Sequence, residues 1–137
     1  MNSMEVVNTD KPKDLVKVTS AMNEENCLCS TSARVNGQLV TVHFDPGATK
    51  SIMSTRIWTH LKLNVNPSET QIKFGNNAVE KVFGITDDIQ IDIQGVIATM
   101  NFLIYDHEDH DFLIGLDWFK QTNAALIPGD NIINFQV

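Results

Sequence analysis

The sequence is short of cysteine, of basic residues and of long apolar runs, and each shortage excludes a class of protein. Ten Lys and Arg stand against seventeen Asp and Glu in 137 residues, a net charge of -7. Phosphate backbones are held by clustered cations that release counterions, and here the cations are few and scattered, so no nucleic-acid partner is expected. No apolar stretch approaches the roughly 18 residues of a membrane span, and Met1 to Lys17 has no apolar h-region, so neither a membrane segment nor a signal peptide is expected. The chain reads as intracellular, in the cytoplasm. The two cysteines, Cys27 and Cys29, lie two apart in a strand-like stretch, where their side chains share one face and a disulfide is geometrically poor. Without a second cysteine pair to complete a ligand set, they read as strand packing, and neither metal nor cofactor is expected. Asn66-Pro67-Ser68 carries the proline that forbids a glycosylation sequon. The length allows one domain and is too short for a two-lobed enzyme.

What is present is a succession of short β-type runs punctuated by turn residues. Residues 1–25 are polar, of mixed charge, and read as a flexible N-terminal segment. From residue 26 to residue 137 the pattern is that of one folded domain. Leu28 to Val35 and Leu39 to Phe44 flank Asn36-Gly37, a strong hairpin signal. Ser51 to Ser54 is a short buried strand, and Thr55 to Leu61 has room for one or two helical turns before Pro67. Thr70 to Phe74 and Val79 to Phe83 flank Gly75-Asn76-Asn77-Ala78, a second hairpin whose tip tolerates left-handed backbone. Ile85 to Ile93 and Val96 to Tyr105 read as two further strands about Gly95. Phe112 to Gly115 is a fully apolar strand, Leu116 to Asn123 a short helix, and Ile132 to Phe135 a closing strand. The fold class is therefore all-β, a small barrel or sandwich with one short helix late in the chain.

The chemistry-bearing stretch is His43-Phe44-Asp45-Pro46-Gly47-Ala48. An acid leaves an apolar strand directly into a glycine turn and a second apolar strand, so its carboxylate sits in low dielectric. Taken alone, Asp-Pro-Gly is also an ordinary start to an Asx-type turn. The wider window decides between the two. Val40 to Ser54, VTVHFDPGATKSIMS, followed later by Phe112-Leu113-Ile114-Gly115-Leu116-Asp117-Trp118, resembles the retropepsin-like aspartic proteases, in particular those of gypsy-type LTR retrotransposons and retroviruses. It is also similar to the protease-like domain of DNA-damage-inducible ubiquitin shuttle proteins.

The resemblance implies a closed, single-lobe β-barrel of the acid-protease type over residues 26–137. Asp45 would be the catalytic carboxylate, and Pro46, Gly47 and Ala48 the rest of the active-site loop. Because the sequence has one Asp-x-Gly, two copies would supply the two carboxylates, and the partner expected is a second copy of the chain. Phe74, Gly75, Asn76 and Asn77 would tip a flap closing over an extended peptide or polyprotein substrate. Leu113 would line a substrate pocket, and Ile132, Ile133, Asn134 and Phe135 would form a dimer-interface strand.

The sequence departs from that family at Pro46, where a Thr or Ser is usual. Proline has neither hydroxyl nor N–H with which to bond across the dimer axis. Four such bonds lost by symmetry, at roughly 0.5 to 1.5 kcal/mol each, would weaken the dimer by about 2 to 6 kcal/mol. The alternatives are therefore an inactive retropepsin-like dimerisation or peptide-binding module, and an unrelated acidic interaction barrel. The other cluster, Tyr105-Asp106-His107-Glu108-Asp109-His110-Asp111, could hold a divalent metal through its histidines. It reads instead as a solvated loop between two strands.

Overall fold

The computed structural model describes residues 15–18, 29–106, 110–127 and 132–135. Its strands are β1 (Leu15–Val18), β2 (Cys29–Val35), β3 (Gln38–Phe44), β4 (Ile52–Ser54), β5 (Val65–Asn66), β6 (Gln71–Phe74), β7 (Val79–Lys81), β8 (Gly84–Thr86), β9 (Ile89–Ile93), β10 (Val96–Met100), β11 (Leu103–Tyr105), β12 (Phe112–Ile114), β13 (Ala124–Ile127) and β14 (Ile132–Phe135). Two helices, α1 (Thr55–Leu61) and α2 (Leu116–Thr122), interrupt them.

Local chemistry sets the hairpins. Asn36 and Gly37 take φ of 54° and 78°, the two positive values that a primed hairpin turn requires, and the turn fixes the β2–β3 register at Val35 opposite Gln38. Gln94 and Gly95, at 55° and 88°, turn β9 into β10 in the same way. In β3, Val40, Val42 and Phe44 are buried while Leu39 and Thr41 face water, the period-two pattern of a half-buried strand. Ser54 caps α1 by accepting a hydrogen bond from the Ile57 N–H (3.1 Å), and Lys62 ends the helix at φ 57°.

Nine strands form one sheet in the order β10-β9-β2-β3-β12-β4-β11-β8-β5. The strands on either side of Asp45, β3 and β4, do not pair with each other. The late strand β12 lies between them, parallel to β3 and antiparallel to β4. A strand so placed has no solvent face, and Phe112, Leu113 and Ile114 are all buried. The all-β class expected is borne out: the large sheet is a curled half-barrel, and among the described residues its end strands β10 and β5 are not paired with each other.

Three differences from the sequence expectation have physical causes. Val96 to Tyr105 is two strands, because Thr86 and Phe102 bond reciprocally (Thr86 N–H to Phe102 O, 2.9 Å; Phe102 N–H to Thr86 Oγ1, 3.0 Å) and turn a corner there. Ile85 to Ile93 likewise divides at Asp87-Asp88 into β8 and β9. Hydropathy alternation is blind to such corners. The turns allowed for Thr55 to Leu61 become a full helix, so the described residues hold two short helices where the fold class named one.

The main core joins β2, β3, β9, β10 and β12 to α2. Trp118 is fully buried, with its ring centroid 5.4 Å from that of Phe44 and 5.1 Å from that of Phe119. A smaller cluster gathers Ala48, Ile52, Ile72, Leu103 and Leu113. Outside the large sheet, β1, β6 and β7 form a three-stranded sheet, and β13 pairs with β14. The N-terminal segment thus contains one strand, Leu15-Val16-Lys17-Val18, a β-favouring run set among polar neighbours. Cys29 opens β2; Cys27 lies outside the described residues.

Candidate active site

Strand β3 drives Phe44 into the core and delivers Asp45 just beyond it, 1% exposed. The Asp45 N–H donates to the Ile114 carbonyl (2.8 Å), which ties the start of the loop to the end of β12. The Ala48 N–H donates back to the Asp45 carbonyl (2.9 Å), closing a turn with Pro46 at its second position, where a fixed φ near -65° fits. Inside that turn the Gly47 N–H donates to Asp45 Oδ1 (2.9 Å). The Asx turn and the buried carboxylate, rivals in the sequence, are one arrangement.

A second layer of bonds holds the loop from behind. The Leu116 N–H donates to the Ala48 carbonyl (2.8 Å), and the Gly115 N–H to Ser51 Oγ (2.9 Å). The Ser51 hydroxyl donates to Asp117 Oδ1 (2.7 Å) and its N–H to Asp117 Oδ2 (3.0 Å). Lys50 adds an ion pair to Asp117 (3.5 Å) and a hydrogen bond to the Asn101 side chain. Gly115 is required by space: a Cβ there would lie 2.6 Å from the Ala48 carbonyl oxygen and 2.9 Å from Lys50 backbone atoms. Ser51, Asp117 and Lys50 were not singled out as site residues in the sequence. The one available signal was Asp117 in the first turn of α2, where an acid also suits the helix end.

The hairpin of β6 and β7 stands over this loop's apolar side. Its tip is closed by Phe74 N–H to Ala78 O and Asn77 N–H to Phe74 O, each 2.9 Å, and by Ala78 N–H to Asn76 Oδ1 (3.0 Å). Asn77 has φ 70°, the left-handed geometry its sequence allows, and Gly75, Asn76 and Asn77 are exposed. Ile72 of β6 packs with Ala48 and Leu113, while every residue of β7 faces water. Leu113 is 0% exposed beneath this contact, so its side chain lines no open pocket in this arrangement. Phe74 meets Tyr105 at 5.5 Å between ring centroids, and burial, with Glu80 and Asp106 adding to it, pushes the Tyr105 phenol up. The interface strand expected at Ile132 to Phe135 is β14, whose partner within the chain is β13.

His43 does not join Asp45. Its ring stacks on His110 at 4.1 Å, and burial followed by the His110 charge pushes its pKa below 6.5, with Asp111 opposing. Asp111 itself pairs with Arg56 (2.6 Å). Of the acidic cluster, residues 107–109 lie outside the described set, and no group of three or more metal-type ligands occurs among the described residues. A cleft of about 480 Å³ beside the Asn36-Gly37 turn is lined by Arg34, Asn36, Gln90 and Asp92 and by no residue of the Asp45 loop. No helix among the described residues is long and apolar enough to cross a membrane.

An Asp-x-Gly-Ala loop braced by a late strand inserted between its own flanking strands, in a single small half-barrel, defines the class of the retropepsin-like aspartic protease fold. Residues 31–121 match the family described as "gag-polyprotein putative aspartyl protease", and the chain belongs to that family. Solved structures share the fold, two of them as follows. The retroviral protease-like domain of Ddi1 from Leishmania major superposes with a TM-score of 0.61 at 18% identity, over 80% of this chain and 89% of that one. EIAV protease, complexed with the inhibitor HBY-793, gives 0.62 at 21% identity, over 80% of this chain and 99% of that one. No curated protein sequence matches.

Proposed function

We propose that the chain is one half of a homodimeric aspartic endopeptidase acting on extended peptides or a polyprotein. The observation that carries this is Asp45: a buried carboxylate held by the Gly47 N–H, on a loop bonded on both flanks, in a chain with one Asp-x-Gly. A loop so fixed can be presented to its symmetry mate without rearranging, and preorganisation of that kind is what acid-base chemistry needs. Two carboxylates meeting on a two-fold axis about 3 Å apart cannot both ionise, an effect for which aspartic proteases are the standing example. One Asp45 would then act as base toward a shared water, while the protonated mate polarises the scissile carbonyl. Peptide would enter beneath the β6–β7 flap, with Phe74 to Asn77 at its tip and apolar side chains reaching toward Leu113 once Ile72 lifts. Strand β14 would contribute to the dimer interface through Ile132 to Phe135.

Pro46 favours a second reading, a retropepsin-like dimerisation or peptide-binding module without turnover. In the protomer Pro46 suits the turn, but it offers the partner neither hydroxyl nor N–H. One experiment separates the two: micromolar full chain incubated with a denatured protein mixture from pH 4 to 7, wild type beside Asp45→Asn. The protease reading expects fragments in the acid range that fall by on the order of 10²- to 10⁴-fold in the variant. Cleavage unchanged by Asp45→Asn sinks it, and binding of peptide without fragments selects the second reading.

A further inference from the structure

Strand β1 lies parallel to β6, with Leu15 opposite Gln71, Val16 opposite Ile72, Lys17 opposite Lys73 and Val18 opposite Phe74. β6 has two edges. One is taken by β7, the other by β1, so among the described strands the hairpin's inner strand has no free main-chain edge. β6 is the strand that touches the active-site loop, through Ile72 against Ala48, whereas β7 points wholly to water. An extended peptide reaching Asp45 and pairing with the flap by β-augmentation would therefore use the edge of β6. We infer that β1 is a pseudosubstrate strand: residues 15–18 occupy in cis the flap edge that an incoming peptide must take.

The inference rests on the flap reading above, and three observations support it independently of turnover. The direction fits. In a two-fold dimer the two flaps run opposite ways, so one peptide crossing both is parallel to one β6 and antiparallel to the other; β1 adopts the first. The state of the site also fits, because Leu113 is 0% exposed in the cluster it shares with Ile72, and it cannot meet a peptide until the hairpin moves. Finally, the docking is built to be displaced. A strand of only four residues, carried by the same chain as its partner, gains more from being intramolecular than from intrinsic affinity. A free peptide that also fills side-chain pockets can outcompete it.

The test uses the full chain, in the Asp45→Asn background so that no probe is consumed. Val16→Pro combined with Lys17→Pro removes two successive N–H groups from β1, so whichever of them bonds to β6 is lost, and leaves the folded domain untouched. The probe is a fluorescent decapeptide with the sequence of residues 12–21, followed by anisotropy. If β1 is docked about nine-tenths of the time, the proline variant binds the probe about tenfold more tightly than its parent. Equal affinities, or binding to neither protein, overturn the inference. Amide hydrogen exchange gives the second readout: the proline pair is expected to speed exchange within Gln71 to Phe74, and unchanged exchange there also overturns it. A chain that passes both tests yet cleaves no protein retires the protease reading alone and leaves β6 as a peptide-binding edge.

Discussion

From Asp45 to Ser51 the loop is bonded through backbone groups to Ile114 and Leu116 and through the Ser51 hydroxyl to the Gly115 N–H, and Asp45, Gly47, Ala48 and Ser51 are buried. From Gln71 to Lys81 the hairpin is bonded mainly to itself and to β1, and only Ile72 is buried. The two regions face each other across one small apolar cluster, yet one is fixed by the late half of the chain and the other rests on Ile72 and the half-buried Phe74. Chemistry that depends on a carboxylate held within tenths of an ångström belongs on the first. Admission of a long flexible peptide needs a part that opens at little cost, which is the second.

Substitutions behind the loop should therefore unfold the protein, and substitutions in the hairpin should change peptide binding at nearly constant stability. Trp118→Ala removes the ring that backs Phe44, and a loss of about 3 to 5 kcal/mol is expected in urea unfolding; a loss under 1 kcal/mol would mean that α2 does not hold the loop. Gly115→Ala forces a methyl against the Ala48 carbonyl and should cost about 1 to 3 kcal/mol, read as a lowered midpoint with an unchanged slope. Ser51→Ala leaves the buried Gly115 N–H without its acceptor and removes the hydroxyl donor from Asp117 Oδ1, again about 1 to 3 kcal/mol. By contrast, Asn76→Ala loses one exposed bond at the flap tip, and a change within about 0.5 kcal/mol is expected, with any effect falling on peptide affinity.

The His43–His110 contact sharpens the comparison through pH. A folded His43 with its pKa below 6.5 binds fewer protons than the unfolded chain does, so its contribution to stability is present above 6.5 and is lost as pH falls from there toward the folded value. Melting temperature should drop across that interval in wild type and drop less in His43→Asn. On the proposed dimer, the acid range that a shared proton requires would also loosen the strand pair that positions Asp45, since His43 sits opposite Leu113 in the β3–β12 ladder. A flat stability profile from pH 7 to 5 would remove that opposition.

How much of this was legible beforehand follows from the range over which each feature acts. The Asn36-Gly37 turn, the alternation in β3, the turn at Asp45 and the tip of the β6–β7 hairpin are written in neighbouring residues, and local rules recover them. The insertion of β12 between β3 and β4 followed from no local pattern; an apolar run such as Phe112-Leu113-Ile114 says that a strand is buried, not beside what. The Ser51–Asp117 clamp was invisible for the same reason, because its halves are individually unremarkable and meet only through the fold. β1 was missed because Leu-Val-Lys-Val is four residues long amid polar sequence, too short for periodicity to separate from a linker. The open sheet edge and the corner at Thr86 and Phe102 depend on backbone hydrogen bonds, to which hydropathy is indifferent.

The insertion of β12 also sets an order in time. The loop bearing Asp45 gains its bracing bonds from Ile114, Gly115 and Leu116, far along the chain, and pairings of such long separation form late in folding. During synthesis, which proceeds from the N-terminus, Asp45 and the β6–β7 hairpin emerge well before the strand that braces the Asp45 loop. A nascent chain carrying this domain would hold Asp45 on an unbraced loop until α2 had cleared the ribosome, a delay imposed by chain connectivity alone.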